Sequence, residues 1–163
     1  MTDINPKRKI FHMIWFVLLS VVSIYFIVKC ILFIGSSMES ISKNGFMFFE
    51  KFPLSVISDI IKYILCTLLF IYLCIKQGFM TFSDQKNYSI TPVIVSAITL
   101  LALLISEAAK FFAFKSLLGS YKLVLYLKSL LSLGGIITVA VFIFTAVYFI
   151  YMLTYKKAVR ASD

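Results

Sequence analysis

Apolar residues fill this chain in long uncharged runs, and the polar residues gather between them. A helix that crosses a bilayer needs about 20 mainly apolar residues, and four runs come close to or exceed that length. The first, 10–28, carries no charge and continues past Lys29 through Cys30-Ile31-Leu32-Phe33-Ile34 to Gly35. The second covers about 54–75, with Asp59 and Lys62 in its first half; the third starts at Tyr88 and the fourth extends from about Ser129 to Tyr155. With their flanks these give expected spans of about 10–35, 54–75, 88–110 and 126–155. The pattern predicts an all-α polytopic membrane protein: one transmembrane domain over residues 1–163, built as a four-transmembrane-helix bundle.

The residues between the runs set the expected helix ends. Lys7-Arg8-Lys9 before the first run also suits a signal peptide, but the apolar region exceeds the roughly 7–15 residues of such a leader, so it reads as a retained span. Gly35-Ser36-Ser37 is expected to end that span. Residues 38–53 then form a mixed loop whose Phe46, Phe48, Phe49 and Phe52 lie at the bilayer surface, and Pro53 restarts a helix. Gly78 suits the left-handed end of the second helix, and Thr81 three residues before Asp84 resembles a capping box opening the next. Pro92 belongs in the opening turn of the third helix, where a missing N–H costs little.

Composition strengthens the membrane assignment. The chain is 61% hydrophobic and 14% charged, against about 25% charged residues in soluble domains, so too few polar side chains exist to cover a globule in water. Its 16 Lys and Arg against 7 Asp and Glu give a net charge of +9. The basic residues cluster beside apolar runs, at Lys7, Arg8, Lys9 and again at Lys156, Lys157, Arg160, where they meet anionic headgroups. No soluble basic module is left for direct nucleic-acid binding; the lipid bilayer is the expected partner. The same clusters favour both termini on the cytoplasmic side of a cell membrane. The full count is nearly even, because Lys110, Lys115, Lys122 and Lys128 fall on the opposite side, and that stretch leaves a three-span arrangement as the alternative.

The raw material for catalysis is thin. Cys30, Cys66 and Cys74 are scattered through apolar segments and read as small hydrophobes. His12 is the single histidine and, beside Trp15, reads as an aromatic-belt residue. Ser20, Ser23 and Ser106 lack a G-x-S-x-G context. No enzyme activity, cofactor or metal is therefore expected.

Ionisable groups inside a span are costly and are candidates for function. Glu107 and Lys110 are three residues apart, as are Asp59 and Lys62, so each pair shares a helix face and reads most simply as an ion pair near the interface. Lys29 lies at a similar depth. If Lys29, Asp59, Glu107 and Lys110 converge, they form a polar cluster in the outer half of the bundle. Ala102, Ser106, Ala109 and Ala113 on the third span, and Gly134, Gly135 and Thr138 on the fourth, allow close helix contacts. Such contacts serve the bundle itself, a protein partner or a homo-oligomer, and Gly134-Gly135 also permits a bend.

The most polar interior stretch joins the second and third spans, and there Lys76, Gly78, Phe82, Ser83, Asp84 and Asn87 stand in an order that resembles domain of unknown function 2975, a family of small bacterial four-span membrane proteins. The tail Tyr155-Lys156-Lys157-Ala158-Val159 is also similar, whereas Tyr88-Ser89-Ile90-Thr91-Pro92 replaces the family's basic positions after the asparagine. The family's members are often encoded beside small helix-turn-helix regulators. The resemblance therefore implies a membrane partner of a cytoplasmic regulator, with the connection 76–87 as the contact surface; it carries no catalytic residues. The expected function is non-enzymatic: interaction at a bacterial inner membrane, as a sensor, regulator partner or subunit of a complex. The alternative is a small transporter, channel component or immunity-type protein acting within the bilayer.

Overall fold

A computed structural model describes residues 6–45, 53–82, 90–118 and 122–160. In chain order these form α1 (Pro6–Asn44), α2 (Pro53–Asp59), a π-helical segment (Ile60–Leu65), α3 (Cys66–Phe82), α4 (Thr91–Leu118), α5 (Lys122–Leu130) and α6 (Leu133–Arg160). Among the described residues, four stretches are long and apolar enough to cross a membrane: Lys9–Lys43, Leu54–Phe82, Thr91–Ala113 and Leu133–Tyr155. The chain is thus an all-α multi-pass membrane protein with a four-helix bundle.

The first helix overruns its expected end. Its 39 residues reach roughly 58 Å at 1.5 Å per residue, about twice the hydrocarbon thickness. Gly35 keeps helical geometry, and the serines after it bond backward along the helix, Ser36 Oγ to Phe33 O at 3.0 Å and Ser40 Oγ to Ser36 O at 2.9 Å. The stop comes at Gly45, whose φ of 60° and N–H bond to Ile41 O at 2.9 Å make a left-handed cap. Residues 38–44, expected as loop, are therefore helical; the aromatic cluster from Phe46 to Phe52 lies outside the described residues.

The second span is one run of helix with a wide turn inside it, where Cys66 N–H donates to Ile61 O, five residues back. Gly78 does not end it. The helix continues to Phe82, and Gly78 instead makes room for Phe16, whose ring carbon would lie 3.0 Å from an added Cβ. Thr81 is likewise helical and opens no capping box; its hydroxyl donates to Gln77 O at 2.8 Å.

The third helix starts as expected, with Pro92 in its first turn and the N–H groups of Val93 and Ile94 on Ile90 O. It runs on to Leu118, so Glu107 and Lys110 sit inside a helix and not at its boundary. The expected fourth span divides at Leu131–Ser132 into α5 and α6. Ser132 caps α6 by accepting the N–H of Gly135 at 3.3 Å. Gly135 fits this break because a Cβ there would collide with the Leu130 carbonyl oxygen. The bend that Gly134-Gly135 suggested thus falls just before them.

Helices α1 and α3 pair antiparallel. Phe26 stacks on Phe70 at 5.0 Å, Thr67 Oγ1 donates to Phe26 O at 3.1 Å, and Ser20 Oγ lies 3.3 Å from Cys74 Sγ. α2 meets α4 through two small residues that exchange bonds: Ser58 Oγ reaches Ser106 O at 2.9 Å and Ser106 Oγ reaches Ser58 O at 3.2 Å. Ala102, Ser106 and Ala113 are buried, so this small-residue face serves the bundle. Trp15 of α1 is surrounded by Phe144, Tyr148 and Tyr151 of α6 at 5.2–5.4 Å. Val21, Ile31 and Leu68 are exposed and suited to acyl chains.

Candidate functional site

Two buried polar assemblies occupy opposite ends of the bundle. At the end carrying α5, Lys62 in the π segment crosses to α4 and bonds Glu107 Oε1 at 2.9 Å, with the two side chains 12% and 21% exposed. Lys62 stands four residues after Ser58, on the helix face that meets α4, and the length of α4 keeps Glu107 within the helical wall. Asp59 lies in the field of Lys62 and Lys110, so two acids and two bases balance in one region. Tyr126 of α5 hydrogen-bonds the Glu107 carboxylate; burial first, then the charge and hydrogen bond of Glu107, push its phenol above the ordinary value. Glu107 Oε2 is buried and accepts no protein hydrogen bond among the described residues.

Glu107 lines a cleft of about 180 Å³ between α4, α5 and α6, with Tyr126, Leu130, Thr138 and Phe142 on its other walls. Three members of the expected cluster, Asp59, Glu107 and Lys110, do lie in this region. Lys29 does not join them: it is exposed, with its ammonium 6.0 Å from the Tyr25 ring. The inward face of α1 runs through Leu19, Ser23 and Phe26, and Lys29 lies nearly a quarter turn away from it. Lys62, expected to pair with Asp59 near the interface, supplies the buried cation instead.

At the other end, His12 is buried, not a belt residue exposed to headgroups. Gln77 is fully enclosed, and its Nε2 lies 3.1 Å from both His12 O and His12 Nδ1. Its Oε1 accepts the Tyr148 hydroxyl at 3.1 Å, which fixes the amide orientation. The amide nitrogen then faces His12, donating to its carbonyl oxygen and lying against Nδ1. Tyr151 OH meets the same Nδ1 at 2.9 Å, and Thr81 Oγ1 donates to His12 O at 3.2 Å. The network joins the start of α1, the end of α3 and the end of α6. A polar pair four residues apart, Gln77 and Thr81, at the end of an apolar run was its sequence signal.

Of the expected contact surface, Lys76 is half-buried with Nζ 5.8 Å from the Tyr72 ring, and Phe82 is 68% exposed with its edge against Phe16. Gly78 packs on Phe16, while Ser83, Asp84 and Asn87 lie outside the described residues. Among the described residues no three His, Cys, Asp or Glu side chains are grouped to hold a metal. No family model, curated protein or solved structure matches the chain.

Proposed function

We propose that this chain is a non-enzymatic multi-pass protein of a bacterial inner membrane that acts by interaction, holding or sensing for a cytoplasmic partner through the connection 76–87 and the basic tail. The observation that carries this reading is the His12–Gln77–Tyr148 network. It cross-links three helices near the ends that lead to the N-terminus, the connection and the tail, so those helix ends are held in one geometry. The flanking Lys7, Arg8, Lys9, Lys156, Lys157 and Arg160 favour a cytoplasmic location for that end and so support this reading. The likeness of Lys76, Gly78, Phe82, Ser83, Asp84 and Asn87 to domain of unknown function 2975 supports the same role. A photocrosslinking residue at Asp84 or Asn87 is expected to give one discrete protein adduct in native membranes, reduced by Lys76→Ala. Adducts no different from those of a probe at lipid-facing Val21 would sink the proposal.

A second reading, transport or another task within the bilayer, is favoured by the buried Lys62–Glu107 pair beside its cleft. It predicts that Glu107→Gln abolishes ion flux in proteoliposomes, and the absence of any flux from the wild type counts against it.

A further inference from the structure

The end of the bundle that carries α5 holds positive charge that the proposed function leaves unused. After Glu107 no Asp or Glu occurs before Asp163, while Lys110, Lys115, Lys122 and Lys128 follow one another on the side where the usual cation bias predicts few. Lys110 acts on Asp59, whereas Lys128 is exposed in the last turn of α5. That helix has nine residues and is about 14 Å long, less than half the hydrocarbon thickness of about 30 Å. It ends at the break before the span Leu133–Tyr155, so α5 falls at the edge of the hydrocarbon layer.

The helix is apolar on two sides. Inward, the Tyr126 ring meets Phe111 edge-on at 5.2 Å, and Leu130 lines the cleft shared with α4 and α6. Outward, Val124, Leu127 and Leu131 recur at three- and four-residue spacing, and Leu131 N–H keeps the helical bond to Leu127 O at 3.0 Å. All three are exposed. The apolar surface continues across the break: Leu131 and Leu133 are each 77% exposed, and Ile136 and Ile143 carry it along the lipid-facing side of α6. So few side chains fall far short of the roughly 20–30 residues a side of a stable protein interface. A helix at a bilayer surface needs only an apolar stripe with cations beside it. Lys128, one residue after Leu127 and four after Val124, flanks this stripe, where its stem can follow the leucines while the ammonium reaches a phosphate. We infer that α5 is an interfacial helix: its Val124–Leu127–Leu131 row lies at the headgroup–acyl boundary of this leaflet, and Lys128 holds anionic phospholipid headgroups beside it. The row lies at the opposite end of the bundle from the proposed partner surface and does not depend on it.

The test uses the full chain in proteoliposomes of phosphatidylcholine with a minor share of phosphatidylglycerol. Benzoylphenylalanine replaces Leu127 or, in a second protein, Leu131, and the adducts formed on irradiation are read by intact-protein mass. Phospholipid adducts are expected at both positions, with phosphatidylglycerol above its share of the liposome. Lys128→Gln is expected to cut that excess about fivefold, the effect of one cation at a charged surface. Lys29→Gln, an exposed cation on α1, is the control and is expected to leave it unchanged. Both probe positions are exposed, and having two keeps the result readable if one probe disturbs the helix. Absence of lipid adducts at both positions, meaning that water covers the row, would overturn the inference. So would protein–protein adducts, meaning that a second copy covers it, or a phosphatidylglycerol excess that Lys128→Gln leaves unchanged.

Discussion

Replacing Gln77 with Leu keeps the apolar volume of a fully buried position and removes three hydrogen bonds, two to His12 and one from Tyr148. Side-chain hydrogen bonds between membrane helices average about 0.6 kcal/mol, so the loss comes to about 2 kcal/mol. Part of that arises because the Tyr148 hydroxyl is left buried without its acceptor. Tyr148→Phe alone is expected to cost about 1 kcal/mol, and the double variant little more than Gln77→Leu, a coupling of about 0.5–1 kcal/mol. The assay is unfolding by sodium dodecyl sulfate in mixed micelles, followed by the fluorescence of Trp15. It is the only tryptophan and packs on both Tyr148 and Tyr151. Costs that add within experimental error would refute the view that the two residues act as one unit.

Lys62→Met leaves Glu107 without its cation. Breaking a buried pair costs about 3–5 kcal/mol, and the partial exposure of both side chains reduces this to about 2–3 kcal/mol; the double variant Lys62→Met/Glu107→Leu is expected to recover most of it in the same assay. Gly135→Val drives a side chain into the Leu130 carbonyl and is expected to cost about 1–3 kcal/mol, measured by the same unfolding curve, whereas Gly134→Ala meets open space and stays within about 0.5 kcal/mol. Lys29→Met, on an exposed face, is expected to change stability by less than about 0.5 kcal/mol, and a larger loss would place Lys29 in the polar cluster after all.

The four spans were legible because each is an uncharged or nearly uncharged run, and hydrophobicity along the chain reports burial in lipid directly. The helix ends were less so. Gly35 and Gly45 carry the same local signal, yet Gly35 stays helical and Gly45 alone of the two takes the left-handed cap. Gly78 was misread for a related reason: its missing side chain accommodates Phe16, a contact 62 residues away in sequence. Charged positions were visible, but their partners were not. Asp59 and Lys62 look like a local pair at three-residue spacing, and nothing local announces that Lys62, on the same face as Ser58, reaches across to Glu107. His12 shows the same limit, since its burial depends on Gln77, Tyr148 and Tyr151 arriving from two other helices.

The wide turn at Ile60–Leu65 lets one span serve two neighbours. Above it Ser58 faces Ser106 of α4, and below it Thr67, Phe70 and Gln77 face α1. Relative to a regular α-helix the turn holds one extra residue, worth about 100° of rotation. Removing a single codon within it would close the wide turn into a regular one and leave every later side chain facing α1, because the turn already absorbs the rotation of the extra residue. The wide turn therefore keeps the two polar assemblies aligned with their partners despite the extra residue, and a one-residue in-frame deletion across it removes the bulge while preserving the register.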